Sequence, residues 1–104
     1  MVNDVAKSLN TGVVTILNYG TRVVDLLVQI SFLHEVGHSF GSMHDPASCQ
    51  PGSKNGGNYI MYYSATSGAQ ANNIVYSPCS LSTIGSVLNY IVQNRFCFIC
   101  IFNF

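Results

Sequence analysis

Charge is scarce in this sequence. Only 8% of its 104 residues are Asp, Glu, Lys or Arg, and four basic residues balance four acidic ones. A soluble chain ordinarily carries about a quarter, so Asn, Ser and Thr must cover much of the surface. Lys7, Arg22, Lys54 and Arg95 stand singly; without a basic stripe to track a phosphate backbone, nucleic acid is not expected as a partner. No secretory leader is expected, since Met1-Val2-Asn3-Asp4 lacks a basic start followed by an apolar run. The apolar tail from Phe96 to Phe104 has nine residues, against about twenty needed to cross a bilayer, so no membrane span is expected. There is no internal repeat and no low-complexity linker, which leaves one domain or part of one. Four cysteines suit an oxidising compartment without requiring it.

The scarcest charged residue is glutamate. The single one, Glu35, lies inside Phe32-Leu33-His34-Glu35-Val36-Gly37-His38-Ser39-Phe40-Gly41-Ser42-Met43-His44-Asp45, which also holds all three histidines. Positions i and i+4 share a helix face, so His34 and His38 project side by side. Gly41 allows a turn that is costly for other residues, returning His44 from a loop as a third ligand. Three neutral imidazoles around a divalent ion, with one position open, suit a catalytic zinc site. Such a site lowers the pKa of a bound water to about 7 and polarises a carbonyl. Glu35, beside a ligand, is suited to move the proton as general base. The alternative is a chance His-Glu-x-x-His on an ordinary helix, with surface or core histidines; Gly41 and His44 at the further offsets weigh against it. No second oxyanion stabiliser is nominated by the sequence.

Around this stretch, Val13-Val14-Thr15-Ile16-Leu17 predicts a strand buried on both faces, followed by an Asn18-Tyr19-Gly20 turn. Asp25 is expected to cap a helix over residues 25–40, with Leu26, Leu27, Ile30, Leu33, Val36 and Phe40 at helical spacing and a stop near Gly41. Residues 46–58 are turn-rich, Asn58 to Tyr63 is a compact apolar segment, and residues 64–77 are polar loop. Ser80 is expected to open a second helix with Leu81, Ile84, Leu88 and Ile91 on one stripe, weakened slightly by Gly85.

The His34-to-Asp45 stretch resembles the zinc signature of the metzincin proteases. Asp45 after the third histidine resembles the adamalysin or ADAM (disintegrin and metalloproteinase) branch. Asn58-Tyr59-Ile60-Met61-Tyr62 resembles its Met-turn. Ser8 to Thr15, Asn18-Tyr19-Gly20 and Tyr76-Ser77-Pro78-Cys79-Ser80 are similar to the kuzbanian subgroup. The resemblance covers about residues 8–98 and leaves 99–104 unassigned. It implies an α/β (α+β-like) fragment of a metzincin catalytic domain: last sheet strand, zinc helix, Met-turn region and C-terminal helix. It further implies Zn2+ on His34, His38 and His44, Glu35 as base, and Met61 as a hydrophobic floor beneath the metal, although a Met alone is commonly core filler. Asp45 would fix its loop by hydrogen bonding. Cys49 and Cys79 match positions that pair in the family, the alternative being two buried free thiols. Cys97 matches a cysteine whose partner lies upstream of this chain, and Cys97 with Cys100 also forms a lone Cys-x-x-Cys, a weak redox or metal signal. Residues 21–30 are more apolar than the family's linker and are expected to extend the helix. Protein or peptide substrates, cell-surface proteins among them, and an extracellular or cell-surface location are implied. Two functions follow: a zinc metalloendopeptidase of the ectodomain-sheddase type, or a catalytically incompetent fragment that binds zinc or a partner.

Overall fold

The computed structural model of the chain describes residues 12–94. In order, these form β1 (Leu17–Asn18), β2 (Thr21–Arg22), α1 (Asp25–Ser39), three short 3-10 turns and α2 (Pro78–Gln93). The two helices with a two-stranded sheet fit a truncated α/β metzincin domain. Residues 8–11 of the family-like segment, and Cys97, Cys100 and the tail, lie outside the described residues.

The strand expected over residues 13–17 is not formed. Leu17 instead pairs with Arg22 and Asn18 with Thr21 in an antiparallel hairpin, closed by Tyr19 and Gly20, both at positive φ, as a two-residue hairpin turn requires. Val23 N–H donates to Ile16 C=O at 2.8 Å and continues the ladder by one bond. The expected two-sided burial is absent as well: Val13 is 90% exposed, and Ile16 and Leu17 are 55% exposed. A β-branched run becomes a strand only where another strand accepts its hydrogen bonds, and among the described residues no strand pairs with residues 13–15.

Helix α1 begins at Asp25, so the apolar segment before it does not extend it. Val24 holds the cap position and no side chain caps it. Asp25 lies instead in the first turn, where its charge suits the helix dipole and its carboxylate pairs with Arg22 at 3.0 Å. Of the apolar stripe, Ile30 is buried while Leu26 and Leu33 remain well exposed. Gly68, at positive φ, sits against Leu26, Leu27 and Ile30, so the loop after the Met-turn folds back onto this face.

Helix α2 starts two residues before Ser80. Ser77 is the cap, accepting from Ser80 N–H at 3.0 Å, and Pro78 takes the first helical position, where its missing N–H costs nothing. Leu81 is 56% exposed, so the expected stripe is buried only in part. The described core is small: Ile30, Cys49, Ile60 and Met61 are its buried apolar residues, beside buried Ser42, Asp45, Asn73, Ser77 and Ser80. A disulfide joins Cys49 to Cys79 and ties the turn-rich segment to α2.

Candidate metal centre

The last turns of α1 carry His34 and His38 on one face, with ring centroids 4.8 Å apart. The helix ends at Ser39, with Phe40 as its cap residue, and Gly41 adopts φ +88°. That left-handed residue turns the chain back, and a Cβ on it would approach Val87 to 2.9 Å. The following loop delivers His44, whose ring centroid lies 5.2 Å from that of His34 and 4.9 Å from that of His38. One ligand atom from each imidazole falls within 4.8 Å of the others.

Hydrogen bonds fix how two of these rings face inward. His34 Nδ1 meets Ile60 C=O at 2.6 Å and His38 Nδ1 meets Ser42 C=O at 2.8 Å. A carbonyl can only accept, so each Nδ1 carries the proton and each Nε2 keeps a lone pair for a metal. Metal-ligating histidines are ordinarily held in this way. The donor set, three neutral imidazoles converging on one point, suits Zn2+. Burial lowers the His44 pKa below 6.5, helped by the neighbouring His34 and His38, so its neutral form is favoured.

Glu35 lines a hollow of about 160 Å³ with His34, Ile30, Ile60, Tyr62 and Thr66. Glu35 and His34 therefore border one cavity.

Met61 is fully buried. It packs against Gly37, between the two helical histidines, where a Cβ would collide with the Met61 sulfur. Asp45, next to His44, is buried. Its Oδ1 accepts hydroxyl hydrogen bonds from Ser77 and, at 2.9 Å, from Ser80. Its N–H donates to Met61 C=O at 2.9 Å, and its C=O accepts from Gln50 Nε2 at 2.8 Å. Asp45 thus joins the third-histidine loop to the Met-turn and to the start of α2.

Three participants escaped the sequence reading. Gly37 was given no role of its own, yet it makes room for Met61. Tyr76 reaches α1 across 43 positions, its hydroxyl donating to Leu33 C=O at 2.6 Å; burial raises its pKa above 10, which keeps that hydroxyl protonated. Ser77 caps α2 and holds Asp45 at once. A Ser-Pro pair before an apolar run is a readable cap signal, but the contacts of Gly37 and Tyr76 leave no local trace.

Comparison with known proteins agrees with this geometry. The description "Metallo-peptidase family M12B Reprolysin-like" matches residues 2–90. The chain is 52% identical over 91 residues to the disintegrin and metalloproteinase domain-containing protein 10 homolog of Caenorhabditis elegans, covering 86% of this chain and 10% of that protein. It is 48% identical over 97 residues to the human disintegrin and metalloproteinase domain-containing protein 10, covering 86% of this chain and 13% of that protein. A protein 17 homolog from Caenorhabditis elegans is 39% identical over 77 residues, covering 65% of this chain and 11% of that protein. The chain therefore spans about a tenth of the length of these relatives. On its matched length and on these identities, the chain belongs to the reprolysin-like metallo-peptidase family M12B.

Proposed function

We propose that this chain carries the zinc-binding part of a zinc-dependent metalloendopeptidase, with His34, His38 and His44 as ligands and Glu35 as general base. The observation that carries this reading is the convergence of the three imidazoles, two of them oriented through their Nδ1 atoms by backbone carbonyls. When bound, zinc supplies Lewis acidity, acidifying water and polarising a peptide carbonyl.

The chain's own residues do the rest. The Glu35 carboxylate accepts a proton as water adds to the peptide carbonyl carbon. It then passes that proton to the departing amine nitrogen, the C–N bond breaks, and Glu35 returns to its ionised form. Met61 packs against the ligand-bearing helix at Gly37. Substrates are proteins or peptides. Cell-surface substrates and an extracellular or cell-surface setting are proposed from the resemblance of the zinc stretch and its flanks to the ADAM branch and from the Cys49–Cys79 disulfide, a bond that persists in oxidising compartments. Among the described residues no helix is long and apolar enough to cross a membrane.

A second reading, a zinc-binding or partner-binding piece without turnover, draws on the exposed apolar side chains of Ile16, Phe32 and Leu33, which with Val14, Val28 and Gln29 line a hollow of about 520 Å³. Metal analysis beside a quenched-peptide assay separates the two. One zinc per chain with chelator-sensitive turnover supports the peptidase; one zinc without turnover supports the second reading. Where turnover is present, Glu35→Ala is expected to abolish it with zinc still bound, and unchanged turnover would refute Glu35 as the base.

A further inference from the structure

We infer that Tyr76 is a positioning residue for the metal-binding helix, setting the placement of His34 through the backbone carbonyl of Leu33. The inference rests on the zinc reading above and adds to it a residue outside the ligand and base set.

Tyr76 touches α1 at two points one turn apart. Its hydroxyl donates to Leu33 C=O at 2.6 Å, and its ring edge lies 3.1 Å from where a Cβ on Gly37 would stand. Leu33 and Gly37 are four residues apart, so they share a helix face. Contact at both limits sliding along the helix axis as well as rotation about it. Leu33 immediately precedes His34, and Gly37 immediately precedes His38.

The contact also closes a ring. Ile60 N–H donates to Val75 C=O at 3.1 Å, and Ile60 C=O in turn accepts from His34 Nδ1 at 2.6 Å. Tyr76, Leu33, His34, Ile60 and Val75 therefore form a continuous circuit of covalent and hydrogen bonds around the first ligand. On the other side of Tyr76, Ser77 is held by Asp45, next to the third ligand. Removing the Tyr76 hydroxyl opens the circuit at one point and lets the helix shift against the carbonyl that orients His34. Outer contacts of this kind commonly change metal affinity by about 10–100-fold.

The test compares the parent chain with Tyr76→Phe, which keeps the ring and removes one hydroxyl, and with Tyr19→Phe as control, since Tyr19 is fully exposed. Zinc affinity is measured by chelator competition, Co2+ loaded in place of zinc reports ligand geometry through its visible absorption, and thermal melting follows the metal-free chain. Tyr76→Phe is expected to weaken zinc about 10-fold and to alter the Co2+ bands, with Tyr19→Phe like the parent. A purely structural hydroxyl would lower the melting temperature and leave both the zinc affinity and the Co2+ spectrum of the parent, which overturns the inference. An equal loss in Tyr19→Phe overturns it too. A parent chain that binds no zinc overturns the zinc reading along with it, whereas a zinc-binding parent with an unaffected Tyr76→Phe overturns the positioning role alone.

Discussion

Gly37 decides how near α1 can come to Met61. Glycine inside a helix costs up to about 1 kcal/mol relative to alanine, but here a Cβ would collide with the methionine sulfur. Forcing an extra carbon into a filled site costs about 1–3 kcal/mol, which outweighs the gain in helix propensity. Gly37→Ala is therefore expected to lower the denaturation midpoint and to weaken zinc binding, because the displaced atoms lie between His34 and His38. A variant with parent midpoint and parent zinc affinity would mean that Met61 moves aside freely. At this scale the histidines were legible in the sequence, because i, i+4 spacing is a property of the helix itself. The need for glycine at position 37 was not, since the atom it avoids lies 24 positions further along the chain.

Among elements, the segment between His44 and α2 depends most on connections distant in sequence. It contains short 3-10 turns at Ala47–Cys49, Ser53–Asn55 and Ala71–Ile74, which bury little apolar surface. Side-chain amides hold it instead: Asn72 Nδ2 donates to Gly57 C=O at 2.8 Å, and Asn73 Nδ2 donates to Asn58 C=O at 2.8 Å. The Cys49–Cys79 bond then closes a loop with a sequence separation of 30. Closure of that length removes about 3–4 kcal/mol of unfolded-chain entropy. The double variant Cys49→Ser/Cys79→Ser is expected to lose stability of that order in urea titrations and to hold zinc less tightly, because His44 and Met61 belong to the segment it loosens. A midpoint unmoved by the double substitution would assign the segment's order to its amide network. Helices α1 and α2 were readable from their period to within a few positions, although Val24 and Ser77 rather than Asp25 and Ser80 hold the caps. The strand expected over residues 13–17 was not, because a ladder is decided by whichever partner is present, and Thr21–Arg22 is the partner that pairs.

For the molecule as a whole, the zinc proposed at the three histidines would couple metal binding to folding. A ligand that binds only the folded state stabilises it by about 4 kcal/mol at a thousandfold excess over Kd, so zinc is expected to raise the melting temperature and a chelator to reverse the rise. Protons compete with zinc for the imidazoles. The His44 pKa is lowered on folding, so protonating His44 is harder in the folded chain than in the unfolded one. The resulting penalty is absent above pH 6.5 and grows as the pH falls below it. Melting curves from pH 8 to pH 5, with and without chelator, are expected to show zinc-free stability falling below pH 6.5 and the zinc-dependent increment shrinking over the same range. A zinc increment that is constant across this range would argue against imidazole ligation.

The chain by itself determined the lineage and nominated the proposed ligands His34, His38 and His44 and the proposed base Glu35, because these rest on residue type and on spacings that a helix and a glycine turn convert directly into geometry. Tertiary structure alone decided which backbone carbonyl orients His34, that the partners of Asp45 Oδ1 are Ser77 and Ser80, and that Gly37 and Tyr76 pack beside the site. Those choices depend on segments 24 to 43 positions apart. The physical reason is that hydrogen-bond partners and close packing are assigned by proximity in space, whereas a local sequence pattern reports only on the turn of helix or loop that contains it.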